Sequence, residues 1–485
     1  MESYNNLQPT KVFKYFKEIS DIPRGSGNEK AVSDYLVKFA QDRGLEVVQD
    51  KALNVVIKKP ATAGYENGPT VILQGHMDMV CEKNNDKLHD FEKDPIELIV
   101  DDGYIRANDT TLGADNGIAV AYALAVLDSD DIEHPNLEIL VTTEEETGMG
   151  GVINLEAENL SGTIIINMDS EEEGIFTASC AGGIRNRINI PLEFTDLGED
   201  FMGVKVFISG LKGGHSGMDI NKERGNANKI MGRVLNILDK KFDYYLGDIN
   251  GGSKMNAIPR ESEALLFIKS EDQERFLMEI TEIDSMLAKE LEFSDTVFIK
   301  AERVETNLQA MTKKTTKMIV KTLLLIPNGI KTMSMAVKDL VQSSTNLGVI
   351  KREKNKICLE SAIRSSVKSL KYAVVDELTG ICEIFGYTYE NSSDYPQWEF
   401  AKESYIRDLC VSTYEEITGK KAEIFAIHAG LECGFLGEKL SANGHIDMIS
   451  MGPNMHDVHT PQERLEIEST RKTYEFLLEL LKRIK

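Results

Sequence analysis

The stretch VILQGHMDMV, residues 71–80, decides the fold. An aliphatic run ends in Gln74-Gly75, and His76 and Asp78 follow two residues apart. A buried strand that finishes this way carries two ligand-type side chains past its carboxyl end. In open α/β sheets that is where ligands bind. A His-x-Asp after a strand is also an ordinary hydrogen-bonded turn, so the reading depends on whether other segments repeat the placement.

They do. Residues 137–141 read as a strand and lead into Glu144, Glu145 and Glu146 of LVTTEEETGMGG. Residues 163–166, with a β-branched Ile-Ile-Ile core, lead into Asp169 of IIINMDSEEEG. Asp115 opens an Ala-rich helix expected over 116–127, in TLGADNGIA. A strand over 446–450 precedes GPNMHDVHTPQERLEI, which holds His456 and His459. Each piece has a plainer reading. Asp115 suits a helix N-cap, and a glutamate run such as 171–173 is usually a solvated face. The plain readings leave the shared placement at strand ends and helix starts unexplained.

Imidazole and carboxylate together suit zinc, manganese or cobalt. Clustered carboxylates repel one another unless cations neutralise them. Two ions about 3.5–4 Å apart can activate a bridging water and clamp a developing oxyanion. A glutamate outside the ligand set could then carry the proton to a leaving amine.

The surrounding pattern alternates. A helix is expected over 27–43 and a strand over 54–58, ahead of the strands and helix above. Near-continuous apolar strands separated by helices predict a mostly parallel sheet covered on both faces. The texture changes after CAGG at 180–183. Strands are expected at 188–192, 204–208, 262–268, 296–302, 345–350 and 357–363, with helices over 224–238 and 271–291. A helix over 403–418, strands over 422–427 and 446–450, and a helix from 463 restore the first texture. The expectation is an α/β domain, 1–186 with 399–485, interrupted by an α+β insert, 187–398.

The bulk composition agrees. A chain of 485 residues suits two or three domains of ~100–200 residues each. Its net charge of −24 repels phosphate backbones and argues against nucleic-acid binding. No apolar run approaches the ~20 residues that span a bilayer, so no membrane partner is expected. The first residues lack a basic and then apolar leader pattern. The six cysteines are scattered without a CxxC pair, as reduced thiols in a cytoplasmic protein would be.

GHMD, LGADNGIA, TEEETGMGG, the strand-end Met-Asp and GPxxHxxHTPxE, in that order, resemble the M20 family of co-catalytic zinc peptidases. ANDTTLGADNGIAVAYALAVL, NMDSEEEG, CAGG, GLKGGHSG, SAIRSS and HAGLECG are most similar to its aminoacyl-histidine dipeptidase subgroup. The resemblance runs the length of the chain. It implies a zinc-peptidase catalytic domain with an inserted lid and two zinc ions per subunit, manganese or cobalt being possible substitutes. His76 and Asp169 would hold one ion, Glu146 and His459 the other, and Asp115 both. Glu145 would be the general base, and Asp78 would orient His76. Glu144 and His456 receive no role.

The resemblance extends to the insert. His215 of GGHSG would stabilise the oxyanion or hold the substrate, in some relatives in the site of a partner subunit. Arg364 of SAIRSS would pair with a substrate carboxylate, for which a guanidinium fork is suited. Asn256 of KMNAIPR would touch substrate. His428, Gly430 and Glu432 of HAGLECG would line an amino-terminal pocket. The implied activity is hydrolysis of unblocked dipeptides, aminoacyl-histidine types among them, by a metal-bridged water in a homodimer. A tripeptidase, an N-acyl amino-acid hydrolase and a catalytically silent metal-binding protein are the alternatives.

Overall fold

The structure, a computed structural model, describes residues 4–485. Contacts divide the chain into two compact units. The first holds the residues up to Ser179 together with Phe400–Ala426 and Leu431–Lys485. The second holds Cys180–Glu399 and Ile427–Gly430.

The first unit is built on an eight-stranded sheet. Across it run Glu46–Gln49, Val55–Lys59, Leu137–Thr142, Val71–His76, Ile164–Asn167, Asp447–Ser450, Ile175–Cys180 and Glu423–Ile427. The four central strands pair in parallel. Antiparallel pairing is found towards the margins. Every residue of the four central strands is buried, which is why they read as unbroken apolar runs. His76 lies opposite Thr142, and Gln74 and Ser450 both lie opposite Asn167. The central strands therefore end along one edge, and the ligand-type residues begin there.

The helix Ala114–Leu127 packs on the Val71–His76 strand and on the helix Thr10–Ser20. All of its residues except Asp115 are buried, as its Ala-rich, all-round apolar sequence requires. Gly75 makes this approach possible. A Cβ there would stand 2.4 Å from Asn116 Oδ1 and 2.7 Å from Ala119 Cβ. The glycine before His76 thus lets the segment bearing Asp115 settle onto the strand end.

One sequence expectation needs correction. The last helix begins at Ile467, not 463. Arg464–Glu466 is instead a strand paired with Tyr104–Ala107 in a separate four-stranded sheet. The helix expected from 116 is found: Asp115 (φ −77°, ψ 108°) and Asn116 (φ −113°, ψ 29°) form a non-helical kink after Ala114, and regular helix runs on from there to Leu127.

The second unit is α+β. Its nine-stranded sheet runs Phe298–Val304, Phe201–Ser209, Ser262–Lys269, Tyr244–Gly251, Val341–Glu353, Lys356–Ser365, Gly182–Pro191, Thr388–Tyr395, with Gly329–Met333 beside Val341–Glu353. Adjacent strands are antiparallel. Ala227–Asp239, Gln273–Leu291, Lys313–Leu325 and Lys368–Phe385 are its longer helices, and they share one apolar core with the sheet. Among the described residues no helix is long and apolar enough to cross a membrane. None of the six cysteines is joined in a disulfide.

Candidate metal centre

His76, Asp115, Glu146, Asp169 and His459 come together in the first unit. Asp115 Oδ1 lies 3.2 Å from His76 Nε2, and Asp115 Oδ2 lies 3.1 Å from His459 Nε2. Asp169 Oδ1 is 3.4 Å from His76 Nε2, and Glu146 Oε1 is 3.1 Å from His459 Nε2. One carboxylate thus faces two imidazoles, and each imidazole has a second carboxylate beside it. Donor atoms bound tetrahedrally to one zinc at ordinary bond lengths would stand about 3.3 Å apart, which is the spacing seen here. Ligand atoms of His76, Asp115 and Glu146 all lie within 4.8 Å of one another.

The backbone presents these groups under strain. Glu144 (φ 50°) and His459 (φ 63°) adopt left-handed conformations, which non-glycine residues take at a cost of ~1–3 kcal/mol and mostly at functional sites. The turn at Glu144 lets its amide donate to Glu29 Oε1 at 3.1 Å. The next two amides donate to Asp78. Glu145 N–H reaches Oδ1 at 3.1 Å, and Glu146 N–H reaches Oδ2 at 3.2 Å. Asp78 is fully buried, accepts also from Ser26 Oγ at 2.7 Å, and lies 3.2 Å from His76 Nδ1. It holds the far side of the imidazole, leaving Nε2 to face Asp115 and Asp169. It also joins the His76 loop to the Glu145-Glu146 loop.

The electrostatics call for positive charge. Burial pushes Asp169 up to about 7 despite His76 beside it, and nearby Asp115 and Glu146 add to the rise. Burial also raises Glu145 well above the usual glutamate range, against His76, with repulsion from Asp169, Glu432 and Glu146. Burial would raise Asp115 too, but His459 and His76 outweigh it and hold its carboxyl low. His459 is drawn up to about 11 by Asp115 and Glu146. His76 is raised against its burial by Asp169, Asp115 and Asp78. Protons on two imidazoles here supply the charge that bound cations would supply in their place. The donor types, spacing and charge all fit a metal centre.

Glu432 lies in the same unit at the start of the helix Glu432–Lys439, and it is buried. Its Oε2 accepts from Gln74 Nε2 at 2.5 Å and Thr142 Oγ1 at 2.7 Å, while Oε1 has no hydrogen-bond partner within the protein. Burial pushes its carboxyl up to about 7, against His76. The His456 ring packs edge-on to Tyr104, with ring centres 5.9 Å apart.

The second unit gathers its own set. Arg364 is buried, and its Nη1 donates to Tyr395 Oη at 3.1 Å. His215 Nε2 lies 3.3 Å from Arg364 Nη2, and His215 Nδ1 accepts from the amides of Gly217 and Met218 at 3.3 and 3.1 Å. With Nδ1 accepting, the neutral ring carries its proton on Nε2. Arg364 Nη2 and His215 Nε2 stand 3.3 Å apart, a nitrogen pair whose positive charge is suited to an anionic oxygen. Arg364, Tyr395 and Asn256 line a cavity of about 330 Å³ with Arg185 and Lys254. His428 donates to or accepts from Ser344 Oγ at 2.7 Å, and its carbonyl would be 2.3 Å from a Cβ at Gly217. Gly430 belongs to this unit too, so the HAGLECG segment divides between the units.

Sequence reasoning did not single out Tyr395, Arg24 or Glu463. Glu463 stands in the HTPQE run and could have been found there. Tyr395 and Arg24 carry no pattern that marks them.

Residues 72–483 match the profile of peptidase family M20/M25/M40. The chain is 38% identical to the cytosol non-specific dipeptidase of Escherichia coli (strain K12), over all of this chain and 99% of the relative. The crystal structure of aminoacylhistidine dipeptidase from Vibrio alginolyticus superposes with a TM-score of 0.95 at 38% identity, covering 100% of this chain and 98% of that one. A tripeptidase from Staphylococcus aureus subsp. aureus Mu50 shares the fold at a TM-score of 0.56 and 17% identity, over 99% of each chain. With its strand-end ligand set and a profile match spanning most of its length, this chain is a member of peptidase family M20/M25/M40.

Proposed function

We propose that this chain is a cytoplasmic two-zinc dipeptidase that cleaves unblocked dipeptides, aminoacyl-histidine dipeptides among them. The observation that carries the reading is Asp115, whose two carboxylate oxygens face the Nε2 atoms of His76 and His459 at 3.2 and 3.1 Å. The full-length kinship with a relative named as a dipeptidase supports the substrate class.

His76 and Asp169 would hold one ion, Glu146 and His459 the other, and Asp115 both. When bound, the ions polarise the scissile carbonyl and make water acidic enough to attack at neutral pH. Glu145 lies next to a ligand in sequence and makes no side-chain hydrogen bond within the described structure, so its carboxylate is free to take the proton of the attacking water. It then hands that proton to the leaving amine. Its raised affinity for protons, caused first by burial, suits a base that must also act as an acid. Asp78 keeps His76 Nε2 aimed. In the second unit, which we assign as the lid, Arg364 and His215 would donate to the anionic oxygens of the substrate. Tyr395 would hold the guanidinium in place. Glu432 would receive the substrate ammonium on its unpartnered oxygen, and His428, Gly430 and Asn256 would shape the pocket.

The test is a panel of Ala-His, β-Ala-His, Leu-Gly, a tripeptide and an N-acetyl amino acid, given to zinc- or manganese-loaded protein with and without EDTA. Cleavage of the dipeptides alone, abolished by EDTA, is expected. Cleavage of only the tripeptide or the acetyl compound would overturn the substrate class and keep the metal chemistry.

A further inference from the structure

Two buried, oppositely charged side chains lie behind the candidate metal centre and touch none of its donor atoms. Glu463 is 2% exposed, and its carboxylate accepts from four successive amides of the loop that carries Asp115. Leu112 N–H and Gly113 N–H reach Oε2 at 2.7 and 3.0 Å. Ala114 N–H and Asp115 N–H reach Oε1 at 2.8 and 3.4 Å. These are the free amides that precede and open the helix Ala114–Leu127, where a carboxylate is favoured. Arg24, also 2% exposed, takes carbonyls. It donates to Gly113 O at 2.5 Å, Met77 O at 2.9 Å and Asp78 O at 3.2 Å.

Gly113 is therefore gripped from both sides, its N–H by the anion and its carbonyl by the cation. Its left-handed φ of 70° lets the two groups point apart. A Cβ there would lie 2.5 Å from Arg24 Nη2 and 2.7 Å from Met79 Sδ, so the site has no room for a side chain. Through Arg24 the Asp115 loop is tied to the His76–Asp78 loop. Through Glu463 it is tied to the turn that carries His459, because Glu463 N–H donates to Thr460 O at 3.0 Å.

We propose that Glu463 and Arg24 are positioning residues that lock the His76, Asp115 and His459 loops into one rigid frame, so that the metal centre is formed before any ion arrives. The proposal rests on the two-metal reading. Neither residue is a ligand. Their bonds are to backbone, and they act through the placement of Asp115 and His76. A buried carboxylate that accepts several amides cannot be replaced by an amide side chain, whose NH₂ would face N–H donors.

The test is zinc affinity, measured on the full chain by competition with a chromogenic chelator, for the parent, Glu463→Gln, Arg24→Lys and Tyr122→Phe. Tyr122→Phe removes a buried hydrogen bond to Thr470 O in the same unit without touching the loops, and so controls for lost stability alone. Glu463→Gln and Arg24→Lys are expected to weaken zinc binding by ~10–100-fold, the usual effect of losing a group that orients a ligand. Tyr122→Phe should bind as the parent does. Amide exchange at residues 112–115 should quicken in the metal-free Glu463→Gln chain and stay slow in the control. If Glu463→Gln does not fold, Arg24→Lys decides by the same measurement. A parent chain that holds no zinc overturns the two-metal reading and this inference with it. A parent that holds zinc, with folded variants binding within twofold of it, overturns this inference alone.

Discussion

His459 Nε2 stands 3.1 Å from Asp115 Oδ2, although 344 residues separate them in the chain. The second unit is inserted between them, so this pairing exists only when both parts of the first unit have folded together. On the proposed assignment, His459→Ala should therefore remove one zinc equivalent per chain and leave the other, which His76 and Asp169 would still hold. Elemental analysis after dialysis checks this. Turnover should fall by roughly 10²-fold or more, since a water activated between two ions would then be held by one.

A variant of the proposed base, Glu145, separates binding from chemistry. Glu145→Gln should keep both zinc equivalents and lose ~10²–10⁴-fold in kcat, the usual contribution of a general base. A kcat within threefold of the parent, with metal retained, would remove Glu145 from the role.

Arg364 and Tyr395 test the second unit. Arg364→Lys loses the fork that reaches Tyr395 Oη at 3.1 Å and lies 3.3 Å from His215 Nε2. A charge-assisted hydrogen bond contributes about 1.5–3 kcal/mol, so kcat/KM for dipeptides should fall on the order of 10–150-fold, mainly through KM. Tyr395→Phe keeps the charge and should cost about tenfold or less, in KM only. Equal loss on a substrate amidated at its carboxyl end would show that Arg364 does not read that end.

His428, which is not a proposed metal ligand, gives a pH test. Burial, with Arg364 and His215 nearby, depresses its imidazole to about 3. The unfolded chain takes up a proton near pH 6.5, while the folded chain resists until about 3, so stability is lost as pH falls through that window. Denaturant unfolding of metal-free protein should lose up to about 1.4 kcal/mol per pH unit more than His428→Phe does between pH 6 and 4. Parallel acid limbs in the two proteins would contradict the assignment.

The core of the first unit was legible because its strands are buried on both faces. Ile164–Asn167 and Val71–His76 have apolar runs too continuous to be anything else, and each is followed at once by ligand-type residues. The last helix was misplaced because Glu463 and the three residues after it look helical in sequence. Pairing of Arg464–Glu466 with Tyr104–Ala107, and the demand of four amides for the Glu463 carboxylate, override that local tendency. The edge strand Thr388–Tyr395, TYENSSDY, is exposed almost throughout and carries no apolar alternation, so no strand was expected there. Its last residue is the one that holds Arg364. Arg24 was hidden for a different reason: its partners are backbone carbonyls from two distant loops, and backbone partners leave no trace in residue types.

The most direct measurement is a titration of metal-free protein with zinc, following Ala-His hydrolysis and bound metal together. The account predicts no hydrolysis without metal, and activity that rises to a plateau at two zinc equivalents per chain. Hydrolysis that persists in fully metal-free protein, or a plateau of bound zinc with no cleavage of any dipeptide, would contradict it.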